Sequence, residues 1–150
     1  MTDSLGHSFL RRIVHAQERR QGPAAQSVGP YRLIRLLGQG GFGEAWVAER
    51  DGVQVALKRP LHAGDDGFRA EALTMSELTH PSIPRVLDQG VDGAAPYYTM
   101  ELVDGGPLNL DHCDLRTTLE IFDQLLDALA HMHARGVVHR DLKPGNVLVD

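Results

Sequence analysis

The sequence has little of several features that would mark particular classes of protein. It contains one cysteine, Cys113, which excludes an internal disulfide and fits a reducing compartment. No apolar run is long enough to span a membrane, and the first four residues do not resemble a signal peptide. Acidic residues outnumber lysine and arginine by 20 to 15, and the formal net charge of -5 argues against a nucleic-acid-binding surface. We therefore expect a cytoplasmic globular protein.

Length and composition indicate one domain preceded by a different segment. The chain has 150 residues, of which 42% are hydrophobic and 23% are charged, and this is enough for one domain with a core. Residues 1–30 are interpreted as a leader and linker. Within them, 8–20 have the spacing of a short amphipathic helix, while 22–30 are rich in glycine and proline and predict a flexible linker.

The first part of the domain has the pattern of a β-sheet with one helix. Hydrophobic patterning predicts strands over 31–37, 44–50, 53–58, 85–89 and 97–102. Asp51–Gly52 is typical of a two-residue hairpin turn. A helix is predicted from Asp65 or Asp66 to about Leu78, where His80 and a following proline end it.

The second part is predicted to contain a long helix and a polar loop. The helix is predicted over 117–135, with Thr117 and Glu120 as a capping box and Gly136 as its stop. Its expected apolar stripe consists of Leu119, Phe122, Leu126, Leu129 and Met132. Two short apolar runs, 137–138 and 147–149, are predicted as strands that flank the loop.

A glycine-rich segment matches the pattern G-x-G-x-x-G. Its residues are Gly38, Gln39, Gly40, Gly41, Phe42 and Gly43. A dinucleotide-binding turn would need a helix after the glycines, but a strand is predicted there. Between antiparallel strands, the glycines could instead form a flap whose N–H groups face phosphates, or a plain hairpin. A Walker-type loop is excluded, because no glycine here precedes Lys-Ser or Lys-Thr.

Charged residues elsewhere in the sheet and in the terminal loop could serve phosphate chemistry. Lys58 lies in an apolar strand and needs an anionic partner, for which Glu71 on the next helix is the natural candidate. An ordinary surface ion pair remains the alternative. In the terminal loop, Asp141, Lys143 and Asn146 follow the order of groups that orient a hydroxyl, neutralise a phosphate and hold magnesium.

Residues 31–150 resemble the eukaryotic-like Ser/Thr protein kinases that bacteria also carry. The resemblance rests on the motifs at 38–43, 55–58, 71, 80–83, 98–103 and 139–146. It implies an α+β, protein-kinase-like fold. An antiparallel N-lobe with its helix would span 31–103, and the start of a helical C-lobe, with its long helix and catalytic loop, would span 104–150.

The resemblance also implies a role for each matched position. Asp141 would orient the substrate hydroxyl, Lys143 would neutralise the transferred phosphoryl group, and Asn146 would bind Mg²⁺. Lys58, held by Glu71, would contact the α- and β-phosphates of ATP beneath the glycine loop. Adenine would be sandwiched by Ala45, Ala56 and Leu148. The gatekeeper would be Met100, and the hinge, whose backbone would hydrogen-bond adenine, would contain Glu101 and Val103. Met75, Val86 and His139 would belong to a stacked spine between the lobes.

Four positions depart from the family pattern and limit what the resemblance implies. Ala45 replaces a usual valine, so the roof over adenine loses apolar contact. Pro107 replaces a polar residue that often contacts ribose, and the segment 108–116 is short. Gly145 replaces an acidic residue that some members use to attract basic substrates.

The implied activity is ATP- and Mg²⁺-dependent phosphorylation of serine or threonine in protein substrates. No residue after Asp150 is present to supply the family's second metal-binding aspartate, so the 150-residue chain alone is expected to be inactive. The alternative is a non-catalytic, kinase-like module that binds nucleotide or a partner. The rest of a kinase domain, or a partner, would be needed to cover the long helix.

Overall fold

A computed structural model of the chain describes residues 26–40, 43–62 and 66–149. The helix predicted over 8–20 and the linker as far as residue 25 lie outside the described residues. So do Gly41 and Phe42 at the tip of the glycine loop, and Asp65, one of the two residues predicted to cap the first helix.

Six strands form one antiparallel sheet, in the order β1-β2-β3-β4-β6-β5. Their bounds are β1 (Ser27–Val28), β2 (Tyr31–Gly40), β3 (Gly43–Arg50), β4 (Val53–Arg59), β5 (Val86–Asp92) and β6 (Ala95–Met100). Helix α1 (Asp66–Ser76) joins β4 to β5. Beyond the sheet lie helix α2 (Leu115–His133) and the paired short strands β7 (Gly106–Pro107) and β8 (Leu148–Val149). This order confirms the α+β class that the sequence predicts.

Strand β1 corrects part of the linker prediction. Ser27 and Val28 pair with the start of β2, and Val28 is buried among the side chains of Tyr31 and Leu33. The two residues between the strands are Gly29, with a φ of 52°, and Pro30. A glycine with positive φ reverses the chain in a tight turn. The Gly-Pro pair therefore makes a hairpin here and does not leave a flexible segment.

Several element ends differ from those predicted. Strand β2 continues beyond Leu37 because its ladder with β3 extends to the pair Gly40–Gly43. Strand β6 ends at Met100, two residues before the predicted end, and β5 runs on to Asp92. Helix α1 stops at Ser76 because the next two N–H groups bond to carbonyls three residues back, which tightens and ends the turn.

The Asp51–Gly52 hairpin is confirmed and shows how sequence sets the turn. Both residues have positive φ, 53° and 80°. A two-residue turn of this kind matches the twist of antiparallel strands, and Asp-Gly is one of the pairs that adopts it readily. The turn fixes the register of β3 against β4, in which Ala45 lies opposite Lys58.

The sheet has an apolar cluster on each face because successive strand residues point to opposite sides. One cluster lies beneath helix α1 and includes Ala56, Phe68, Ala72, Tyr98, Met100, Val103 and Leu148. The other includes Val28, Tyr31, Leu33, Trp46, Ala48, Val55, Leu57 and Tyr97. Neighbouring residues such as Tyr97 and Tyr98 therefore belong to different cores.

The sheet curls until strands that are distant in its order come together. The Tyr31 hydroxyl on β2 donates a 2.9 Å hydrogen bond to Asp88 on β5. Arg50 approaches the same carboxylate at 3.7 Å and lies over the Tyr31 ring. The rings of Tyr31 and Tyr97 meet edge to face at 5.9 Å, an arrangement that aromatic pairs favour.

Helix α2 begins two residues earlier than predicted because Asp114 caps it. The Asp114 carboxylate accepts a 2.7 Å hydrogen bond from the Thr117 N–H, and this hydrogen bond lowers the pKa of Asp114. Glu120 does not complete a capping box; it pairs with Arg116 at 2.9 Å. The helix ends at His133, two residues before the predicted end, and the turn that follows it closes at Gly136, with a φ of 72°.

The buried face of α2 differs from the predicted apolar stripe. The buried residues are Ile121, Ala128 and Met132, of which Ala128 and Met132 pack in one cluster with Met75, Leu78 and Val147. Of the predicted stripe only Met132 is buried, and Leu129 is partly covered. Leu119, Phe122 and Leu126 are exposed, and Leu115 continues their surface.

Val137 and Val138 do not form the predicted strand. The Val137 N–H bonds to the Met132 carbonyl in the turn that closes α2, and Val138 is exposed. On the other side of the polar loop, Leu148 and Val149 do form a strand, which pairs with Pro107 and Gly106. The loop is therefore held by a helix end on one side and by the β7–β8 pair on the other.

Candidate functional site

The candidate site begins with a row of residues on one face of the sheet. In the ladder, Ala45 lies opposite Lys58, and Lys58 lies opposite Tyr98. Ala56, two residues before Lys58, lies opposite Met100. Because the side-chain period of a strand is two, these five side chains share one face. That face is the one covered by helix α1.

Lys58 and Glu71 form the ion pair that the sequence predicts. Lys58 Nζ and Glu71 Oε1 are 2.6 Å apart, and their side chains are only 12% and 16% exposed. A pair with this little exposure is screened weakly by solvent, which distinguishes it from an ordinary surface pair. The pair connects strand β4 to helix α1 and fixes the lysine on the face described above.

Sequence reasoning missed Tyr98 as part of this group. Its hydroxyl donates a 3.0 Å hydrogen bond to Glu71 Oε1, the oxygen that also contacts Lys58. Its ring lies 5.3 Å from that of Phe68 on α1. The strand prediction over 97–102 contained the signal, since Tyr98 alternates with Met100, but only the pairing of β4 with β6 places it beside Lys58.

At the stem of the glycine loop, the backbone of Gly43 lies close to the backbone of strand β4. Gly43 has a φ of 114°, and a Cβ at this position would lie 2.2 Å from the Arg59 carbonyl oxygen. A Cβ at Gly40 would meet no atom within 4 Å. A strand, β3, follows the glycines, so the dinucleotide-binding alternative is wrong for this segment. Gly38 and Gln39 lie in β2, paired with Ala45 and Glu44.

Glu44 braces this stem in a way that the sequence did not suggest. Its carboxylate accepts hydrogen bonds from Trp46 Nε1 at 3.1 Å and from Arg59 Nε at 3.0 Å. Arg59 also lies 5.9 Å from the centre of the Trp46 ring. These contacts join β3 to β4 directly behind the loop. Trp46 and Glu44 lie two residues apart on one strand face, but the role of Arg59 depends on strand register.

The positions predicted to surround adenine lie close together. Ala56, Met100, Val103 and Leu148 belong to one buried cluster, against which Leu37 packs. Ala45, also buried, lies beside them in the ladder opposite Lys58. Ala45 and Ala56 lie on adjacent strands and are both fully buried, so these positions form part of the apolar core on this face.

The predicted hinge leaves the sheet just after Met100. The Glu101 N–H donates to the Arg85 carbonyl at 3.0 Å, and the Glu101 carboxylate accepts from the Arg85 N–H at 3.1 Å. These two bonds anchor the start of the hinge to the segment before β5.

The terminal loop brings its three predicted residues together. Asn146 Nδ2 donates to the Asp141 carbonyl at 2.6 Å and to Asp141 Oδ2 at 2.9 Å, while Lys143 Nζ lies 3.0 Å from the same Oδ2. Lys143 first, and then Asn146, lower the pKa of Asp141, so this carboxylate remains ionised. Asn146 ends a short 3₁₀ turn, Pro144–Asn146, that positions its side chain.

The backbone of this loop is bent at Arg140, which has a φ of 61°. Non-glycine residues seldom adopt this left-handed conformation, and where they do, surrounding contacts hold it. Here the next N–H, that of Asp141, points back to the His139 carbonyl at 2.9 Å and to His139 Nδ1 at 3.3 Å. The exposed Asp141 side chain follows directly after this bend.

A cleft of about 1060 Å³ lies between helix α1 and the segment that leads into the terminal loop, and its lining does not include Lys58, Lys143 or Asn146. Glu71 lines it from helix α1, and His139, Arg140 and Asp141 line it from the terminal loop. Met75 and His139, two of the predicted spine residues, line both this cleft and the small apolar pocket beside it. Val86, the third, packs against the cluster that contains Met75.

Three further observations concern the described residues. Across residues 26–40, 43–62 and 66–149, no group of three or more histidine, cysteine or carboxylate side chains could hold a metal ion. Burial lowers the pKa of His131, whose ring lies 5.1 Å from that of His80. Neither described helix is long and apolar enough to cross a membrane.

Comparisons with known proteins agree on one family. A family model described as a protein kinase domain matches residues 31–150. The chain is 42% identical over 139 residues to the serine/threonine-protein kinase PknA of Mycobacterium tuberculosis, covering 81% of this chain and 32% of that protein. It is 34% identical over 141 residues to the serine/threonine-protein kinase PrkC of Bacillus subtilis, covering 81% of this chain and 21% of that protein. The chain thus spans a third or less of the length of these relatives.

Solved structures give the same result for the fold. The crystal structure of the PknI kinase domain of Mycobacterium tuberculosis matches with a TM-score of 0.64 and 28% sequence identity. The match covers 84% of this chain and 56% of that domain.

Proposed function

Because the chain belongs to the protein kinase family, we propose that it supplies the nucleotide-binding lobe and catalytic loop of a kinase that phosphorylates serine or threonine in proteins. The observation that carries the proposal is that the chain assembles both of its predicted charged groups. Glu71 holds Lys58, and Asn146 and Lys143 hold Asp141. Such groups could bind a phosphate donor and orient a hydroxyl acceptor.

We assign the sheet side of the site to ATP. Lys58 would contact the α- and β-phosphates, since Glu71 holds its ammonium on the face that it shares with Ala45. Backbone N–H groups from Gly38 to Gly43 would cover the phosphates. Adenine would lie against the apolar group formed by Ala45, Ala56, Met100, Val103 and Leu148, with its polar edge at the backbone of Glu101 and Val103.

We assign Asn146 to a magnesium ion, and its geometry suits this role. Both of its hydrogen bonds to Asp141 use Nδ2, so neither uses the amide oxygen, which is the atom a hard cation prefers. When bound, Mg²⁺ would neutralise charge on the phosphates. Asn146 also orients the Asp141 carboxylate through the same amide, and this couples metal binding to the position of the catalytic group.

Asp141 would act on the acceptor hydroxyl. Its low pKa keeps it an acceptor of hydrogen bonds at neutral pH, as needed to orient a serine or threonine hydroxyl toward the phosphate. Lys143, 3.0 Å from Asp141, would stabilise the charge on the transferred group. Phosphoryl transfer needs mainly positioning and charge neutralisation, both of which these side chains supply.

Protein substrates and a cytoplasmic location are part of the same proposal. The relatives PknA and PrkC are named serine/threonine-protein kinases. A lysine two residues after the aspartate, as at Lys143, is the arrangement that resembles the Ser/Thr class. The single cysteine of the chain supports the proposed cytoplasmic location, because it fits a reducing compartment.

The test is phosphate transfer by the protein in its full natural length. Radiolabelled ATP and Mg²⁺ would be supplied with peptides that differ only in a serine, threonine or tyrosine acceptor. We expect transfer to serine and threonine, and a loss of at least about 100-fold in Asp141→Asn. The matched control is Asp111→Asn, because Asp111 is also an exposed aspartate but is distant from Asp141 in the sequence. ATP binding without transfer would support the non-catalytic alternative instead.

A further inference from the structure

We propose that Tyr98 is a positioning residue that locks helix α1 in the orientation in which Glu71 holds Lys58. The inference rests on the proposed nucleotide-binding function and assigns it a further residue. Tyr98 lies on β6 directly opposite Lys58 in the ladder, and it is almost completely buried.

The tyrosine contacts both sides of the ion pair. Its hydroxyl donates to Glu71 Oε1 at 3.0 Å, and the Lys58 ammonium contacts that same oxygen at 2.6 Å. The ammonium also lies 6.0 Å from the centre of the Tyr98 ring, within range of a cation–π attraction. One carboxylate oxygen therefore accepts from two donors on neighbouring strands, and both fix its position.

The same side chain holds the preceding turn of helix α1. The Phe68 ring packs on the Tyr98 ring with centroids 5.3 Å apart. Phe68 and Glu71 are three residues apart, so they project from the same side of the helix. A rotation or outward shift of α1 would separate Phe68 from the ring and Glu71 from the hydroxyl in one movement. Tyr98 thus opposes the movement that would break the Lys58–Glu71 pair.

The hydroxyl has a separable role because the ring can be kept without it. Tyr98→Phe retains the packing against Phe68 and removes only the hydrogen bond to Glu71. Tyr97→Phe is the matched control, since it removes a hydroxyl from the adjacent residue, which faces the opposite core. Tyr98→Met, apolar and flexible, provides a second variant without the hydroxyl should phenylalanine fold poorly.

Two measurements on the protein in its full natural length test the proposal. The first compares dissociation constants for ATP and for adenosine by calorimetry. Because Lys58 is assigned to the phosphates, loss of its orientation should weaken the binding of ATP and leave the binding of adenosine unchanged. The second is the rate at which an amine-acetylating reagent modifies Lys58 without nucleotide, followed by mass spectrometry. This rate should rise when the pair opens more often.

We expect Tyr98→Phe to weaken ATP binding about fivefold, to leave adenosine binding unchanged and to raise the acetylation rate about fivefold. Tyr97→Phe should change neither. Tyr98→4-aminophenylalanine keeps a hydrogen-bond donor at the same place on the ring. It should restore both the ATP affinity and the acetylation rate of the wild-type protein.

Three results would separate failure of the inference from failure of the proposed function. Wild-type values in both measurements for Tyr98→Phe would overturn the role of the hydroxyl. Equal weakening of ATP and adenosine in both phenylalanine variants would overturn it too, because that result indicates general destabilisation. If the wild-type protein bound neither ligand, the proposed function would fail, and the acetylation rate alone would decide whether Tyr98 holds the pair.

Discussion

Glu71 holds Lys58 across the space between helix α1 and strand β4, with 2.6 Å between the carboxylate oxygen and the ammonium nitrogen. The next residue along β4, Arg59, makes the equivalent contact on the other side of the strand, where it pairs with Glu44 at 3.0 Å. Two neighbouring cations thus have different carboxylate partners. This separation gives the first prediction a matched control.

Lys58→Met is expected to lower the rate of phosphate transfer by at least about 100-fold, because the cation that we propose to contact the phosphates is lost. Arg59→Met, on the opposite face, should lower it by less than about tenfold. Initial rates at saturating ATP, in the protein of full natural length, provide the measurement. Equal losses in the two variants would mean that Lys58 acts only through stability.

The site residues could be predicted from sequence where local spacing defines them. Asp141, Lys143 and Asn146 lie within one short loop, so their spacing alone brings them together, as their hydrogen bonds show. Lys58 and Glu71 required one further step, the inference that a buried cation needs a partner on the next element. Tyr98 required the register of β6 against β4, which no local pattern contains.

Helix α2 shows a second limit of the sequence. The sequence identifies the apolar residues of this helix, but not which of them are buried. Only part of the apolar surface is buried in the fold. Ala128 and Met132 face the core because Met75, Leu78 and Val147 pack there. Leu119 and Leu126, with equally suitable side chains, face away. The choice between the two faces is made by tertiary contacts, which helical periodicity does not specify.

The ionisation of Asp141 should depend on Lys143. The ammonium favours the charged carboxylate and so lowers the pKa of Asp141 below its ordinary value of 3.8. Lys143→Met is therefore expected to raise that pKa toward 3.8. A pH titration of the ¹³C signal of the Asp141 carboxyl would measure the change, with Arg135→Met as the control that leaves it unaltered.

The sign of the effect on stability follows from the lowered pKa. A carboxyl whose pKa is lower in the folded protein stabilises the fold above its unfolded pKa, and this stabilisation is lost as the pH falls through the folded pKa. In Lys143→Met, the Asp141 carboxyl contributes less to the free energy of unfolding, so less of that free energy is lost as the pH falls. An unchanged Asp141 titration in Lys143→Met would contradict the assigned ion pair.

The glycine-loop stem should tolerate a methyl group at one glycine and not at the other. At Gly43, with its φ of 114°, the new Cβ would lie 2.2 Å from the Arg59 carbonyl oxygen. Gly43→Ala is therefore expected to lower the free energy of unfolding by about 2 kcal/mol or more. Gly40→Ala, where a Cβ meets no atom within 4 Å, should change it by less than about 1 kcal/mol. Urea unfolding of both variants measures the difference, and equal values would refute the close approach at Gly43.

The exposed apolar face of α2 should control self-association of the 150-residue chain when it is expressed by itself. Leu115, Leu119, Phe122 and Leu126 form one surface, and contiguous apolar patches of this kind promote association. The double substitution Leu119→Glu with Leu126→Glu is expected to shift the chain from aggregates toward a monomer, because two charges on the face oppose its burial. Leu73→Glu is the matched control, since Leu73 on helix α1 is 62% exposed, as is Leu126, but lies outside this face. Size-exclusion chromatography with light scattering gives the mass of each variant. A wild-type chain that is already monomeric at about 100 μM, or equal improvement by Leu73→Glu, would show that this face does not drive association.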